Sequence, residues 1–332
     1  GARCRPAIGP AEHDRRVPRA LQERFSRSLL GLGGQLVYSR AQCLIAFFVF
    51  HVQLVAGAQS LAVQEHIELA KRGAEAINAW RAARENATLD FRSAPMIGYR
   101  LAGANLSGCL LAYADFTDAD LSKCDLRGAE MLEAKFVKAN LTESDLSGCN
   151  FQDVNLREAL LVNAKAPGAC FLGASLKGTD LRAADLRRAN FASAKLRGAV
   201  LRVADLGEAD FTGADLRNVD LREATGRLAD FRGADLTNAK AGKSDFREAN
   251  FGSATLDHAD FKVANLLMAR FIDADLRDAR FSRANVRAYF MGADCRGALF
   301  DGAVLLGADF TNAKLTLRQQ LLFWRLRRKK EL

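Results

Sequence analysis

From Ala94 onward an apolar residue recurs at every fifth position. These positions, taken as centres, run Met96, Leu101, Leu106, Leu111, Phe116, Leu121 and on to Val286. The frame then slips by one residue, and the centres resume at Phe290, Cys295, Phe300, Leu305, Phe310 and Leu315. Leu, Phe, Met or Val fills 41 of the 45 centres, the exceptions being Ala166, Gly226, Ala241 and Cys295, so the frame is far too regular for chance. Two residues ahead of each centre stands a small residue, mostly Ala. The residue just ahead is mostly Asp or Asn, as at Asp115, Asp120, Asn140 and Asp205, and the two that follow are mostly polar or Gly. A period of five fits neither a 3.6-residue helix nor a two-residue strand alternation, which excludes both as the repeating unit.

A second period supplies the geometry. Phe occupies the centres Phe151, Phe171, Phe191, Phe211, Phe231, Phe251 and Phe271, then Phe290 and Phe310 across the slip. Twenty residues are four pentads, so the pattern predicts a coil of four sides whose equivalent sides stack. The Phe residues then form one structural core column. The expected fold is an all-β solenoid, a quadrilateral β-helix of about 11 coils and roughly 50 Å in length at ~4.8 Å per stacked strand. Backbone groups pair between coils, neighbour stacking supplies the stability, and the two open ends need covering.

Runs such as Ala119-Asp120-Leu121-Ser122-Lys123, Ala214-Asp215-Leu216-Arg217-Asn218 and Ala234-Asp235-Leu236-Thr237-Asn238 resemble the A(D/N)LXX signature of pentapeptide repeat proteins. The resemblance covers residues 94–315 and implies that the β-helix is right-handed. The slip near Val286 and the segment Ala166-Pro167-Gly168 depart from the pattern and are expected to mark a bulge or a changed turn.

Short α-helical caps are expected at both ends. Residues 63–84 read as one amphipathic helix with the stripe Val63, Ile67, Ala70, Ala74, Ile77 and Trp80. Its segment Gly73 to Arg81 is similar to the helix that precedes many bacterial pentapeptide tubes. Residues 63–93 are therefore assigned to an N-terminal cap helix and linker, and 94–315 to the solenoid. Residues 316–332 form a C-terminal cap helix over 317–327 and a basic tail, with Leu317, Leu321, Leu322, Trp324 and Leu326 as its apolar positions. Residues 1–62 are a basic and hydrophobic leader. Within it, residues 41–58 carry no charge, and Ala56-Gly57-Ala58 looks like a signal-peptidase site. No Met precedes Met96, so Gly1 is not read as the natural start. A signal peptide beginning near residue 37, an anchor or organelle-targeting segment, and upstream sequence joined to a cytoplasmic protein all stay open. Localisation accordingly stands between cytoplasmic and secreted or membrane-anchored.

Charge adds one discrimination. The chain is +9 overall, but residues 1–59 carry +5, residues 60–93 carry 0, residues 94–315 carry −1 and residues 316–332 carry +5. The basicity belongs to the ends, which removes the solenoid as a general polyanion binder. Nucleic-acid or membrane contact is expected only through the tail Arg325, Arg327, Arg328, Lys329 and Lys330.

Catalytic chemistry is not signalled. The seven Cys form no CxxC pair, and no metal-ligand spacing is present. Cys109, Cys124, Cys149 and Cys295 sit at inward positions and read as small core residues, whereas Cys170 is expected to point outward without an assigned role. His258, the sole His within residues 94–315, reads as a surface residue. No catalytic, cofactor or metal residue is assigned. The ladder-position Asp residues are too regular for acid–base pairs and are expected to serve turns. Two adjoining cation columns stand out as the candidate interaction surface: Arg157, Lys177, Arg197 and Arg217, beside Arg182, Arg202 and Arg222. The bland reading is a solvated face neutralised by interleaved Asp; the sharper one is a docking surface for an acidic partner. A less charged side, with Leu132, Leu172, Ile272 and Met291 outward, is the alternative contact face. The function expected is a non-enzymatic scaffold for an unidentified protein partner. The alternative allowed by the resemblance, a DNA mimic that modulates a type II topoisomerase, is disfavoured by the near-neutral solenoid. The oligomeric state is not encoded legibly; dimerisation through an end requires the C-terminal helix to leave apolar surface free.

Overall fold

The structure, a computed structural model, describes residues 64–84 and 87–328, with the backbone alone for residues 324–328. Its framework is a ladder of parallel pairs, one residue per side. Pairing runs from Asp90 with Leu110 to Asn265 with Asn285 at a spacing of twenty. The spacing drops to nineteen from Arg270 with Tyr289 to Asn285 with Val304, and returns to twenty at Tyr289 with Asp309. Four pentads therefore make one coil. The ladder opens one pentad ahead of residue 94, and Leu89 and Phe91 are already fully buried there.

The corners explain the five-residue side. In each five-residue turn the carbonyl of the centre accepts the N–H three residues on, as Leu121 does from Cys124 at 3.2 Å. The second residue after the centre holds a positive φ, with Gly at fifteen such corners and another residue at twenty-nine. A positive φ at the third turn position is the requirement of a type II turn. The frame slip is a four-residue side: Val286, Arg287, Ala288 and Tyr289 turn without any positive φ, and the coil stays closed. Ala166-Pro167-Gly168 keeps the ordinary turn, with Gly168 at φ 66° and the pairing undisturbed.

The interior is filled by the centres. From Phe151 to Phe310 the rings of the column lie within 2–6° of parallel, with centroids 4.6–5.1 Å apart. That separation matches the coil rise, so each ring stacks parallel to its predecessor. The exceptional centre Gly226 is compensated by its neighbour one coil on. A Cβ at Gly226 would lie 2.5 Å from the ring of Phe246, so that ring occupies the volume a Leu would have used. Polar substitutes for the small Ala satisfy themselves on the backbone. Ser144 donates to Leu141 O at 2.7 Å, Thr179 to Leu156 O at 2.8 Å and Cys124 to Leu101 O at 3.0 Å.

The N-terminal segment differs from the expected single helix. Helix α1 (64–71) and helix α2 (Ala74–Ala82) are separated at Gly73, whose φ of 89° no helix accommodates. Gly73 also passes close to the first coils, since a Cβ there would lie 3.8 Å from Arg100 O. The stripe survives the break: Ile67, Ala70 and Ile77 are buried, and Ala74 and Trp80 pack partly against the core. Val63 lies outside the described residues.

Side chains of α1 and α2 meet the backbone of the first coils. Elsewhere the N–H of a ladder residue is accepted by a carbonyl of the preceding coil, as Asp125 N is by Ala104 O at 3.1 Å. Asp90 and Asn105 have no such coil before them among the described residues. His66 Nδ1 accepts from Asp90 N at 3.0 Å, and Asn78 Oδ1 accepts from Asn105 N at 2.7 Å.

Helix α3 (Leu317–Arg328) mirrors this at the other end. No strand among the described residues follows Ala298 O, and Gln319 Nε2 donates to it at 2.9 Å and to Cys295 O at 2.7 Å. Gln319 Oε1 accepts from Thr316 N at 2.7 Å, which gives the helix a capping box. The side facing the coil is not formed by Leu317, Leu321 and Leu322. Leu317, Leu321 and Leu322 are exposed, while Gln319 and Phe323 are buried. Phe323 lies 4.4 Å from Phe310 and 5.7 Å from Phe300, centroid to centroid, because an open coil end offers carbonyls and aromatic rings.

Candidate interaction surface

The outer faces are built from the residues that flank each centre. The ladder residue just ahead points outward, and where it is Asp or Asn its Oδ1 accepts the N–H two residues on. Asp115 accepts from Thr117 N at 3.0 Å, Asp210 from Thr212 N at 2.8 Å and Asn190 from Ala192 N at 2.8 Å. These carboxylates are turn elements, as expected.

Where Arg follows the centre, the same carboxylate also takes its guanidinium. Asp125 with Arg127, Asp185 with Arg187, Asp215 with Arg217 and Asp275 with Arg277 are such forks, each closing at 2.6 Å. The guanidinium hydrogen bond holds Asp125, Asp185, Asp215 and Asp275 below the usual carboxylate range. The Arg side chains remain 44–60% exposed, so each fork contributes little to stability.

The forks divide the cation columns into two kinds. Arg182 and Arg222 pair with Asp180 and Asp220, and Arg217 pairs with Asp215. Arg202 has Val200 at its ladder position and leans 3.6 Å from Glu223 instead. Among the described residues no carboxylate lies within 4.0 Å of Arg157, Lys177 or Arg197. The reason is local: their ladder positions hold Asn155, Ser175 and Lys195 in place of Asp. Lys195, also without an ionic partner, joins the three, and column reading alone missed it. The signal was available as the loss of Asp in three successive coils of one column. Four cations without an ion pair among the described residues thus occupy three coils, at a strand spacing of ~4.8 Å, although Arg197 adds to the Arg217 hydrogen bond in holding Asp215 below the usual carboxylate range. Gly178 and Gly198 occupy the adjoining corner, where the Glu158 side chain of the preceding coil lies 3.6 Å from the place of a Gly178 Cβ.

Other candidates resolve simply. Cys109, Cys124, Cys149 and Cys295 are buried, and burial pushes each thiol up to about 12, which removes them as nucleophiles at neutral pH. Cys170, expected to point outward, is only 7% exposed. His258 is exposed and lies 2.9 Å from Asp257, with Asp278 adjacent, a solvated trio on the surface. Leu132 on the low-charge side is 44% exposed. Leu317, Leu321 and Leu322 on α3 are exposed. Arg325, Arg327 and Arg328 belong to the α3 backbone, while Lys329, Lys330 and residues 41–58 lie outside the described residues. No helix among the described residues is long and apolar enough to cross a membrane.

Comparison with known proteins places this geometry. A family model described as "Pentapeptide repeats (8 copies)" matches in successive windows that together span residues 100–316. A search of curated protein sequences gives no match. Among solved structures, the chain is similar to full-length QnrB1, a plasmid-mediated fluoroquinolone resistance protein. The identity is 20% over 58% of this chain and 99% of that one, with a TM-score of 0.47. It is also similar to HetL, a pentapeptide repeat protein involved in heterocyst differentiation regulation in the cyanobacterium Nostoc sp. strain PCC 7120. There the identity is 29% over 70% of this chain and 92% of that one, with a TM-score of 0.25.

Proposed function

This chain belongs to the pentapeptide repeat family, and from that premise we propose that it is a non-enzymatic scaffold whose rigid β-helical surface binds an acidic protein partner. The helical segments at both ends act as caps that hold the first and last coils closed. The observation that carries the reading is the strip Arg157, Lys177, Lys195 and Arg197, which lacks the carboxylates that compensate Arg182, Arg217 and Arg222. Like charges stacked on adjacent strands repel. An acidic partner relieves that repulsion, and a backbone fixed by coil-to-coil pairing presents the cations without a backbone ordering cost. The alternative, a DNA-mimic modulator of a type II topoisomerase, needs a strongly negative surface, whereas residues 94–315 carry −1 and the strip is cationic.

The test uses a defined acidic probe. Poly-L-glutamate is titrated into the whole protein and into a variant with Arg157, Lys177, Lys195 and Arg197 all changed to Ser. The protein is expected to bind with an affinity that falls steeply with salt, and the variant to bind at least tenfold more weakly. A control with Arg182→Ser and Arg222→Ser should lose much less. Equal binding by the protein and the strip variant contradicts the reading.

A further inference from the structure

A second surface feature owes nothing to the strip. At the corner leading into the Phe-column side, a hollow of about 420 Å³ opens between Leu228 and Met268 on one wall and Ile272 and Met291 on the other. Leu228 and Met268 are about half exposed. Asn250, Arg270 and Tyr289 stand at the ladder positions between the walls. Gly252 precedes Ile272 by one coil and lines an adjoining hollow of about 460 Å³, which shares Asn250, Arg270 and Ile272 with this one and is also lined by Asp273.

Two features set the hollow apart from the rest of the outer surface. Its walls are apolar at corner and flank positions that are elsewhere mostly polar or Gly. Of the four Met in the chain, Met96 and Met131 are buried in the core, while Met268 and Met291 both line this hollow. A flexible, polarisable thioether adapts to varied apolar shapes, which suits a contact surface. The second feature is charge. Glu248, which also lines the hollow, is engaged by Arg227 at 2.8 Å. Arg270 stands between the uncharged ladder neighbours Asn250 and Tyr289, and no described carboxylate lies within 4.0 Å of it.

We infer that this corner binds a peptide segment of a partner in which an apolar side chain stands next to a carboxylate. The apolar side chain displaces water from Met268, Ile272 and Met291. The carboxylate receives two parallel N–H bonds from the Arg270 guanidinium, a geometry that an amide of the same shape cannot match. The site selects a class of segment rather than one sequence, because the apolar walls adapt and only the carboxylate is read by a directed group.

Methyl NMR of the whole protein, labelled at the Met ε-carbon, reads this directly. The probe is a pool of end-blocked tetrapeptides carrying Leu or Phe followed by Asp or Glu. The comparison pool has Asn or Gln in place of the acid. The acidic pool is expected to shift the Met268 and Met291 methyl signals and to leave those of Met96 and Met131 in place. The amide pool should act at least tenfold more weakly, and Arg270→Gln should remove the difference between pools. Unchanged Met96 and Met131 signals in Arg270→Gln report an intact core. The inference is overturned if Met268 and Met291 stay unmoved at millimolar peptide, if both pools move them equally, or if Arg270→Gln keeps the preference for acid. The strip variant retains the response in this account, so the two surfaces succeed or fail separately.

Discussion

A positive φ recurs at the same residue of every five-residue turn, and twenty-nine of those residues are not Gly. Val203 and Val263 are the least suited, at φ 61° and 63°, because a branched Cβ crowds its own carbonyl there. Both are exposed, so their side chains recover little by packing. Val263→Gly is expected to raise stability by about 1 kcal/mol in urea unfolding, the relief of a left-handed conformation less the entropy Gly adds to the unfolded chain. The sequence shows this position as polar or Gly; what it does not show is the sign of φ, because Asn, Glu, Lys and Arg occupy it as readily. The Asp forks carry a second residue-level consequence. Their folded pKa values are depressed by hydrogen bonds to Thr117, Arg127, Arg187, Arg217, Arg277 and Arg296. Their stabilisation is therefore present above the ordinary carboxylate range and is lost as pH falls through the lower folded values. Melting temperature should be level near neutral pH and fall below about pH 4. Asp215→Asn should reduce that acid dependence.

At the scale of elements, the chain shows where a repeat tolerates an exception. Gly226→Leu alone drives a side chain into the Phe246 ring and should cost about 1–3 kcal/mol. Phe246→Leu alone leaves the space beside Gly226 empty and should cost a similar amount. The double variant restores an ordinary pair of centres, so it should lie well above the sum of the two singles; additive losses in chemical denaturation would show that the ring does not fill the gap. The terminal helices carry a parallel lesson. The stripe of α1 and α2 was legible because Ile67 and Ile77 bury by ordinary amphipathic spacing. Gly73 was in plain view, yet a lone Gly in a helical pattern does not announce a left-handed break. Helix α3 was legible in extent but not in face. Its inward residues are set by what an open coil end lacks, a donor for Ala298 O and a ring after Phe310, and Gln319 and Phe323 supply those. Thr316-x-x-Gln319 was the readable sign of that end. Gln319→Leu should destabilise by about 1–3 kcal/mol by orphaning buried carbonyls, with hydrogen exchange rising first in the last coil.

At the scale of the molecule, the period of five and the column at twenty were sufficient to set the architecture, since few closed shapes reconcile both. The candidate interaction surface was half legible. Columns of Arg and Lys can be counted in the sequence, but compensation depends on whether Asp precedes each centre, and only the geometry of the forks shows that Arg182, Arg217 and Arg222 are already engaged. Lys195 was overlooked for the same reason, since it stands where an Asp is the rule. The low-charge side includes the exposed Leu132 and a hollow beside Gly252. The central claim, that the uncompensated strip is where a protein partner docks, is tested most directly by capture from native lysate. The whole protein and the variant with Arg157, Lys177, Lys195 and Arg197 changed to Ser are compared as baits, with circular dichroism matched. A partner of acidic composition held by the first and lost by the second is the predicted result. A partner held equally by both would contradict the account.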